Sequence, residues 1–529
     1  MRKNRIKYIK NTFLPCVASG LAVGLIVGTA VFFFRWAADL LTAGSAEIYA
    51  WVYAHPLFVP LLFLGLVLLA AAEYFLQLYS PESRGGGIPR SVGAVRGVLS
   101  FRWLRSAVGA VFNSFISFFA GLPLGTEGSS VLLGTALGKG ASRLPLAKRN
   151  FSKYTMTGGA SAGFAVATGA PLAGIVFAVE EMHRKIAPTM VLAVVSAVLS
   201  ATLVSSLLSL ALGMEAGPLF ALSAPVPDTF ALQDIWILLL AGLFSGLAAA
   251  AFCRLLDAIS RFYGRHPSKK ARFARFVALF CLIGLIGLFL NDALYGGHGL
   301  IENLLALEYG AGVMFALFAL RFLLIALSSG DGATGGLFIP MLSLGALVGG
   351  LTAKLCVAMG MSESYAPLTV LLCTVSFLGA ATKSPVTAIV LAVETTWQFT
   401  NLFFAAAAVF TAYFVMSLLR GESAYESMLK NMLKKEYKDK TCRSADIEIV
   451  VRGGCFAEGK PVSDLLFSVN LIPRRVFSAE REEEVFPGRE RGLRAGDKLV
   501  FTAVSYDFKE AEEELVNYFG PQEAVWKEN

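Results

Sequence analysis

Long apolar runs without a single charged residue recur along the first 420 residues of this 529-residue chain. A helix needs about 20 such residues to cross the roughly 30 Å hydrocarbon core of a bilayer. Four runs meet this requirement: Phe13–Phe34, Ile186–Met214, Ile235–Cys253 and Thr395–Leu419. Because a bilayer offers no water to pair with backbone N–H and C=O groups, runs of this length favour helices. The sequence therefore predicts an all-α, polytopic membrane protein.

Charge divides the chain into two parts. Only 16% of all residues are charged, against about 25% in soluble domains, which excludes an ordinary soluble protein. Residues 441–529 carry 12 basic and 17 acidic side chains (net −5), whereas residues 1–440 carry 34 and 21 (net +13). This shift predicts four parts, in chain order: an N-terminal segment at 1–12, a transmembrane domain at 13–430, a linker at 431–445 and a small α/β domain at 446–520.

The basic residues predict the orientation in the membrane, because cytoplasmic loops carry an excess of Lys and Arg. Met1–Lys10 holds five basic residues and no acid, and Arg254–Arg275 is also strongly basic. The first segment is predicted to be a cytoplasmic N-terminus and the second a cytoplasmic loop, in a bacterial inner membrane, with the C-terminus on the same side. Glu215–Asp234 carries three acidic residues and no basic one, and it is predicted to face outward.

The chain contains an internal repeat. Residues 165–182 match residues 379–396 at a constant offset of 214, with Pro171/Pro385 and Glu180/Glu394 among the identities. A glycine-rich segment precedes each copy. Paired hydrophobic segments broken by Gly and Pro indicate a transport site at the interface of two repeats. We place the repeats at about 13–215 and 230–420, with broken helices.

Three glycine-rich segments lie beside predicted helix starts: Gly85–Pro89, Gly125–Ser129 and Gly335–Pro340. A helix N-terminus presents unpaired N–H groups and the positive end of the helix dipole. Several such ends directed at one point form an anion site. Any one of these segments alone is more typical of glycines that pack helices together or of a proline kink. Their occurrence together with the repeat favours an anion site.

Glu127 is the leading candidate for a functional side chain, because it lies within a glycine-rich helix start and membrane carboxylates are costly. When ionised, the Glu127 side chain competes with the anion for its site, and when protonated it leaves that site. The same group would therefore act as a gate and as a proton carrier. Stabilisation of its own helix is the alternative. Glu181 ends an apolar run as a candidate inner proton acceptor, although Glu180 and Glu181 also fit a solvated end pair. Tyr425 is either an anion ligand or an interfacial anchor.

Segments 85–89, 121–138, 169–182, 335–349 and 383–397 resemble the CLC family of chloride channels and chloride/proton antiporters. The resemblance covers about residues 15–430. It implies two inverted helical repeats and a homodimer with one pore per subunit. It also implies roles for six residues: Glu127 as external gate and proton carrier, Glu181 as internal proton acceptor, and Gly86, Leu337, Phe338 and Tyr425 as anion-binding positions.

This sequence departs from the family pattern at three positions. Gly86 replaces the usual serine of the first motif, so one hydroxyl donor is missing and weaker discrimination among chloride, bromide and nitrate is expected. Thr126 replaces a basic residue before the gating glutamate, and Ser129 replaces a proline after it. The fluoride-exporting branch typically has methionine at the position of Gly86, which leaves fluoride a minority interpretation.

The C-terminal part alternates like short strands at 446–451 and 499–504, and residues 510–518 predict a terminal helix. Its Gly-Lys-Pro-Val (459–462) and Leu493–Lys498 turns resemble the TrkA-C (RCK C-terminal) domain of potassium transport systems. The resemblance implies a regulatory domain that binds an unidentified small molecule or aids dimerisation. Assembly alone remains an alternative.

We predict chloride/proton antiport, with chloride, protons and membrane lipid as partners and without a cofactor, a metal or nucleic acid. A passive anion channel is the nearest alternative, and a cation transporter subunit is a distant one. Enzyme activity is not expected, since the sequence contains no HExxH motif and its four histidines, at 55, 183, 266 and 298, are not clustered.

Overall fold

The computed structural model describes residues 12–143, 151–214, 234–265, 268–306, 309–438, 441–478, 484–485, 492–505, 508–522 and 525–528. Two sequence predictions concern residues that lie almost wholly outside these ranges. They are the cytoplasmic N-terminal segment 1–12 and the outward loop 215–234.

Seventeen α-helices make up the described residues between 14 and 436. Their bounds are α1 Leu14–Ala54, α2 Val59–Tyr79, α3 Gly87–Val95, α4 Trp103–Phe119, α5 Glu127–Ala141, α6 Ser152–Thr168, α7 Pro171–Phe177, α8 Pro188–Ala211, α9 Ile235–Arg265, α10 Lys269–Gly287, α11 His298–Leu305, α12 Ala311–Asp331, α13 Phe338–Ala358, α14 Ala366–Thr382, α15 Pro385–Thr396, α16 Asn401–Leu418 and α17 Ala424–Glu436. Eight of them are long and apolar enough to cross a membrane: α1, α2, α8, α9, α12, α13, α14 and α16. The prediction of an all-α membrane part is confirmed.

Two boundaries differ from the sequence prediction. The apolar run Thr395–Leu419 is interrupted, because Trp397 takes a left-handed backbone conformation (φ 54°) and ends α15 before α16 begins. The basic segment Arg254–Arg275 is mostly helical instead of a loop. An apolar face continues past its first arginine, with Leu256 only 1% exposed, and Arg and Lys are good helix formers. The charge excess therefore did not mark the end of the helix.

The internal repeat appears in the geometry. The bounds of α6 and α14 differ by the same 214 residues at both ends, as do the starts of α7 and α15 at Pro171 and Pro385. The connecting residues Gly169 and Lys383, also 214 apart, both have left-handed backbone conformations. Proline at the first helical position removes an N–H that has no partner there. The two halves therefore repeat the same helix, left-handed turn and proline-started helix at a constant offset.

Helices α7 and α15 are joined by reciprocal caps. Glu180, in the π-helical turn that continues α7, accepts hydrogen bonds from the backbone N–H groups of Val386 (3.0 Å) and Thr387 (2.7 Å). Glu394 of α15 accepts from the N–H groups of Leu172 (2.7 Å) and Ala173 (2.8 Å). Each carboxylate thus caps the start of the other helix. The two helices run antiparallel, as repeats of inverted orientation require.

Loss of either cap should lower stability by a similar amount. Substitution of a capping side chain costs about 1–2 kcal/mol, so we expect Glu180→Ala and Glu394→Ala to destabilise the protein by about that much each. Thermal unfolding in detergent measures the effect, and Glu302→Ala, on an exposed residue of α11, is the control. Two cap variants as stable as the control would contradict this assignment.

A five-stranded antiparallel sheet forms the C-terminal part. The strands are β1 Arg443–Val450, β2 Leu471–Phe477, β3 Glu484–Val485, β4 Lys498–Ser505 and β5 Val525–Glu528, in the order β3-β2-β4-β1-β5. Helix α18 (Phe508–Phe519) precedes β5. Alternate residues of the strands, such as Ile447 and Phe501, are fully buried. The predicted strands and the predicted terminal helix are confirmed, each slightly longer than expected.

The C-terminal sheet part, here called the tail, contacts one side of the membrane helices. Asp464 accepts hydrogen bonds from the Thr189 backbone (2.8 Å) and hydroxyl (2.5 Å) at the start of α8. Lys153 of α6 pairs with Glu514 of α18 at 2.6 Å. These buried contacts define the tail-facing side of the membrane part. They fix the tail close to the segment that carries Glu181.

Candidate functional site

The three glycine-rich segments meet at one place. Gly125 and Gly336 form an isolated antiparallel bridge, with N···O distances of 2.8 and 2.7 Å. A Cβ atom built on Gly128 would lie 2.6 Å from the Cα of Gly336, and one built on Gly87 would lie 1.9 Å from the carbonyl oxygen of Gly128. Only glycine permits backbones to approach so closely. The starts of α3, α5 and α13 are therefore packed directly against one another.

Glu127 is the first residue of α5 and its side chain is completely buried. Its Oε1 accepts a hydrogen bond from the Thr126 hydroxyl at 3.1 Å, while Oε2 has no hydrogen-bond partner among the described residues. The carboxylate interacts electrostatically with Arg35 of α1 and with the backbone amide of Ile339 in α13. It thus lies at the start of α13, where the helix dipole favours a negative charge.

Leu337 and Phe338 begin α13 beside this carboxylate and are 1% and 4% exposed. The Phe338 ring packs edge-on against Phe164 at 5.0 Å, and Phe164 stacks on Phe177 at 4.8 Å. An apolar wall therefore encloses the helix start. Backbone amides in such a low-dielectric setting interact strongly with an anion.

Tyr425 begins α17 and is buried, and its hydroxyl has no hydrogen-bond partner among the described residues. It interacts electrostatically with both Glu127 and Glu181. A buried hydroxyl without a partner carries a desolvation cost that a bound anion would offset. The geometry favours the ligand interpretation of Tyr425 over the interfacial anchor.

Gly86 caps the start of α3 and faces α17. A Cβ atom built there would lie 3.1 Å from the Cε of Met428. The Met428 side chain therefore fills the space that a larger residue at position 86 would need. Ser129, another position that departs from the family pattern, shares a hydrogen bond of 2.5 Å with Ser114 of α4.

Glu181 lies in the π-helical turn at 178–183 and is 9% exposed. Its Oε2 accepts from the Ser384 hydroxyl at 3.0 Å, and its Oε1 has no partner within the described structure. The Arg96 guanidinium holds the turn by donating to the backbone oxygens of Glu181 and Met182, both at 2.8 Å. Glu180 and Glu181 are not a solvated pair, because Glu180 is a cap and Glu181 is buried.

Two cavities approach the site from opposite sides. A cavity of about 240 Å³ is lined by Gly125, Thr126 and Asp39. Cys16, at the other end of α1, contacts the tail-facing residue Thr189. Asp39 lies 23 residues farther along the helix, which at 1.5 Å per residue is about 35 Å from Cys16. The second cavity, of about 10 Å³, is lined by Glu181, Ser384 and Tyr425 and has room for about one water.

A further buried carboxylate escaped the sequence analysis. Glu73 of α2 is fully buried and accepts hydrogen bonds from Gln77 (2.9 Å), Ser117 (3.0 Å) and the backbone N–H of Thr334 (2.9 Å). Thr334 lies just before the third glycine-rich segment, which Glu73 therefore holds in place. The sequence feature that could have revealed Glu73 is its position as a lone glutamate inside the apolar stretch of α2.

Comparison with known proteins decides the family. The family model described as "Voltage gated chloride channel" matches residues 65–417.

The chain belongs to the voltage-gated chloride channel family.

Relatives in this family align over most of the chain. The H(+)/Cl(-) exchange transporter ClcA of Vibrio cholerae is 30% identical over 430 residues, which are 79% of this chain and 89% of the relative. The protein of the same name from Cronobacter sakazakii is 29% identical over 432 residues, 80% of this chain and 90% of the relative.

Solved structures share the fold. A slow cyanobacterial Cl−/H+ antiporter superposes with a TM-score of 0.74 at 24% identity, covering 80% of this chain and 99% of that one. A CLC-type fluoride/proton antiporter gives 0.62 at 22% identity, covering 78% and 97%. The voltage-gated chloride channel fold therefore extends over the described membrane helices.

Proposed function

We propose that this protein exchanges chloride for protons across a membrane. The observation that carries the proposal is the buried, half-paired carboxylate of Glu127 at the point where three glycine-rich helix starts meet. The relatives from Vibrio cholerae and Cronobacter sakazakii bear the name of H(+)/Cl(-) exchange transporters, which supports the same activity here.

Each candidate residue has a role in this exchange. The anion binds the backbone amides of Leu337 and Phe338 and the hydroxyl of Tyr425, beside the Gly86 helix start. Glu127 occupies the anion site when ionised and vacates it when protonated from the 240 Å³ cavity. Glu181 passes protons to and from the tail-facing side, through the water-sized cavity that it shares with Tyr425.

Reconstitution of the purified protein tests the activity directly. Proteoliposomes with an outward chloride gradient should take up protons against their own gradient, and a pH electrode should record this while chloride efflux is measured. Chloride efflux without proton movement would indicate a passive channel and would overturn the antiport proposal. Absence of any anion flux would overturn both functions.

Weak discrimination between chloride and nitrate is expected, since Gly86 supplies no hydroxyl donor. Gly86→Ser alone requires the Met428 methyl, 3.1 Å from the built Cβ, to shift by a few tenths of an ångström. Gly86→Ser combined with Met428→Ala should raise the chloride-to-nitrate flux ratio several-fold, about the effect of one hydrogen bond. Met428→Ala alone is the control. Strong chloride preference in the unaltered protein would contradict this account.

The tail, which includes the proposed domain 446–520, is proposed to regulate transport in the manner of TrkA-C domains and to lie in the cytoplasm with both termini. Its contacts through Asp464 and Glu514 support a regulatory link, since their partners Thr189 and Lys153 lie on α8 and α6, which both contact the turn of Glu181. Homodimerisation is proposed from the family resemblance.

A further inference from the structure

Arg96 lies where three parts of the molecule meet. It caps the C-terminal end of α3, the helix that begins at the first glycine-rich segment. Its Nε and Nη2 atoms donate to the backbone oxygens of Met182 and Glu181, both at 2.8 Å. Its Nη1 donates to Oε1 of Glu426, in the first turn of α17, also at 2.8 Å. One guanidinium, only 12% exposed, therefore joins the end of α3, the turn of Glu181 and the start of α17.

Glu426 connects this guanidinium to the cavity beside Glu181. It directly follows Tyr425 in the chain, so a displacement of Glu426 also displaces Tyr425. Glu181, Tyr425 and Glu426 all line the water-sized cavity of about 10 Å³. Arg184, which ends the turn of Glu181, pairs with the same Oε1 of Glu426 at 3.0 Å. Two arginines thus tie the start of α17 to the turn, and Arg96 also binds the backbone of Glu181 itself.

A second arginine of α3 shows what distinguishes Arg96. Arg90 pairs with Glu436 of α17 at 2.9 Å and is 11% exposed, so it joins the same two parts of the chain with similar burial. Among the residues that the structure describes, Arg90 donates no hydrogen bond to the turn of Glu181. The contact with the turn, and not the link between α3 and α17, is therefore particular to Arg96.

We propose that Arg96 is a positioning residue for the exchange, which holds Glu181 and Tyr425 in fixed relation to the cavity that they share. The proposal rests on the proposed proton and anion roles of these two residues. A proton moves only across hydrogen-bond distances or through one water, and a misplacement of about 1 Å can slow such a step roughly a hundredfold. Chloride is also held by the proposed amides of Leu337 and Phe338, so loss of Arg96 should slow proton transfer more than chloride movement.

The proton-to-chloride ratio in proteoliposomes tests the proposal. Arg96→Gln should lower this ratio roughly threefold to tenfold, the effect of about one lost hydrogen bond. Arg96→Lys should lower it almost as much, because lysine keeps the charge opposite Glu426 but lacks the planar fork that reaches both backbone oxygens. Glu426→Ala should also lower the ratio. The double variant Arg96→Gln with Glu426→Ala should be little worse than either single variant, since residues that act through each other are not additive.

Arg90→Gln is the matched control, because it breaks an ion pair of similar burial between the same two parts of the chain. It should lower the unfolding temperature about as much as Arg96→Gln does and leave the proton-to-chloride ratio unchanged. A ratio in Arg96→Gln equal to that of the unaltered protein would overturn the proposal and leave Arg96 with a structural role only. An equal fall of the ratio in both arginine variants would also overturn it.

Hydrogen–deuterium exchange of the detergent-solubilised protein separates this proposal from the proposed antiport. Arg96→Gln should speed backbone exchange at least about threefold in residues 180–185 and 424–428, because local opening becomes easier. Arg90→Gln should leave residues 180–185 unchanged. Unchanged exchange in Arg96→Gln would refute the positioning role even in a protein that exchanges chloride for protons. Faster exchange in a protein that moves chloride without protons would support the positioning role and refute the antiport.

Discussion

Glu127→Gln is expected to stop proton movement while chloride continues to flow. The glutamine side chain has nearly the same shape and can still accept from the Thr126 hydroxyl, but it cannot carry a proton. It also lacks the negative charge that competes with chloride at the start of α13. Proton transport should fall by roughly a hundredfold or more, the usual effect of removing an acid–base group.

The measurement is simultaneous recording of chloride and pH in proteoliposomes. Chloride flux should remain of the same order and should become nearly independent of pH, since the group whose protonation opens the site is gone. Glu302→Gln, an exposed carboxylate of α11, should behave like the unaltered protein. Continued chloride-driven proton transport in Glu127→Gln would remove Glu127 from the proton pathway.

The fold was largely predictable because membrane helices impose strong sequence patterns. Apolar runs such as Ile186–Met214 correspond to α8, and the offset of 214 identified the repeat. The exceptions were local. Trp397 ends a helix through its backbone conformation, and the hydrophobic pattern does not encode that. The basic residues after Cys253 extend a helix, since their charge is compatible with helix formation.

Contacts between distant segments were the part that sequence reasoning could not supply. Glu180 was assigned with Glu181 to a helix end, yet the structure uses Glu180 as a cap across the repeat interface, 206 residues away from Val386. The repeat already paired Glu180 with Glu394, so symmetry was the overlooked clue. Glu73 was missed because it looks like an isolated charge until the fold brings its hydrogen-bond partners together.

The adjacent carboxylates Glu180 and Glu181 allow a sharp test of the inner proton pathway. Glu181→Gln should reduce proton transport at least about tenfold while chloride flux persists. Its Oε2 position can still accept from Ser384 at 3.0 Å, so the turn should keep its shape. The unpaired Oε1 and the water-sized cavity beside it show where a proton would be exchanged with water.

Glu180→Gln is the matched control, because it removes the neighbouring charge from the same turn. It should lower the unfolding temperature through the weakened cap on α15 and leave the proton-to-chloride ratio intact. The two variants should therefore have opposite phenotypes. Glu181→Gln should lose proton coupling with little change in stability, and Glu180→Gln should lose stability with little change in proton coupling. Proton coupling that survives Glu181→Gln but fails in Glu180→Gln would reverse the assignment and place the inner proton acceptor at the interface of the two repeats.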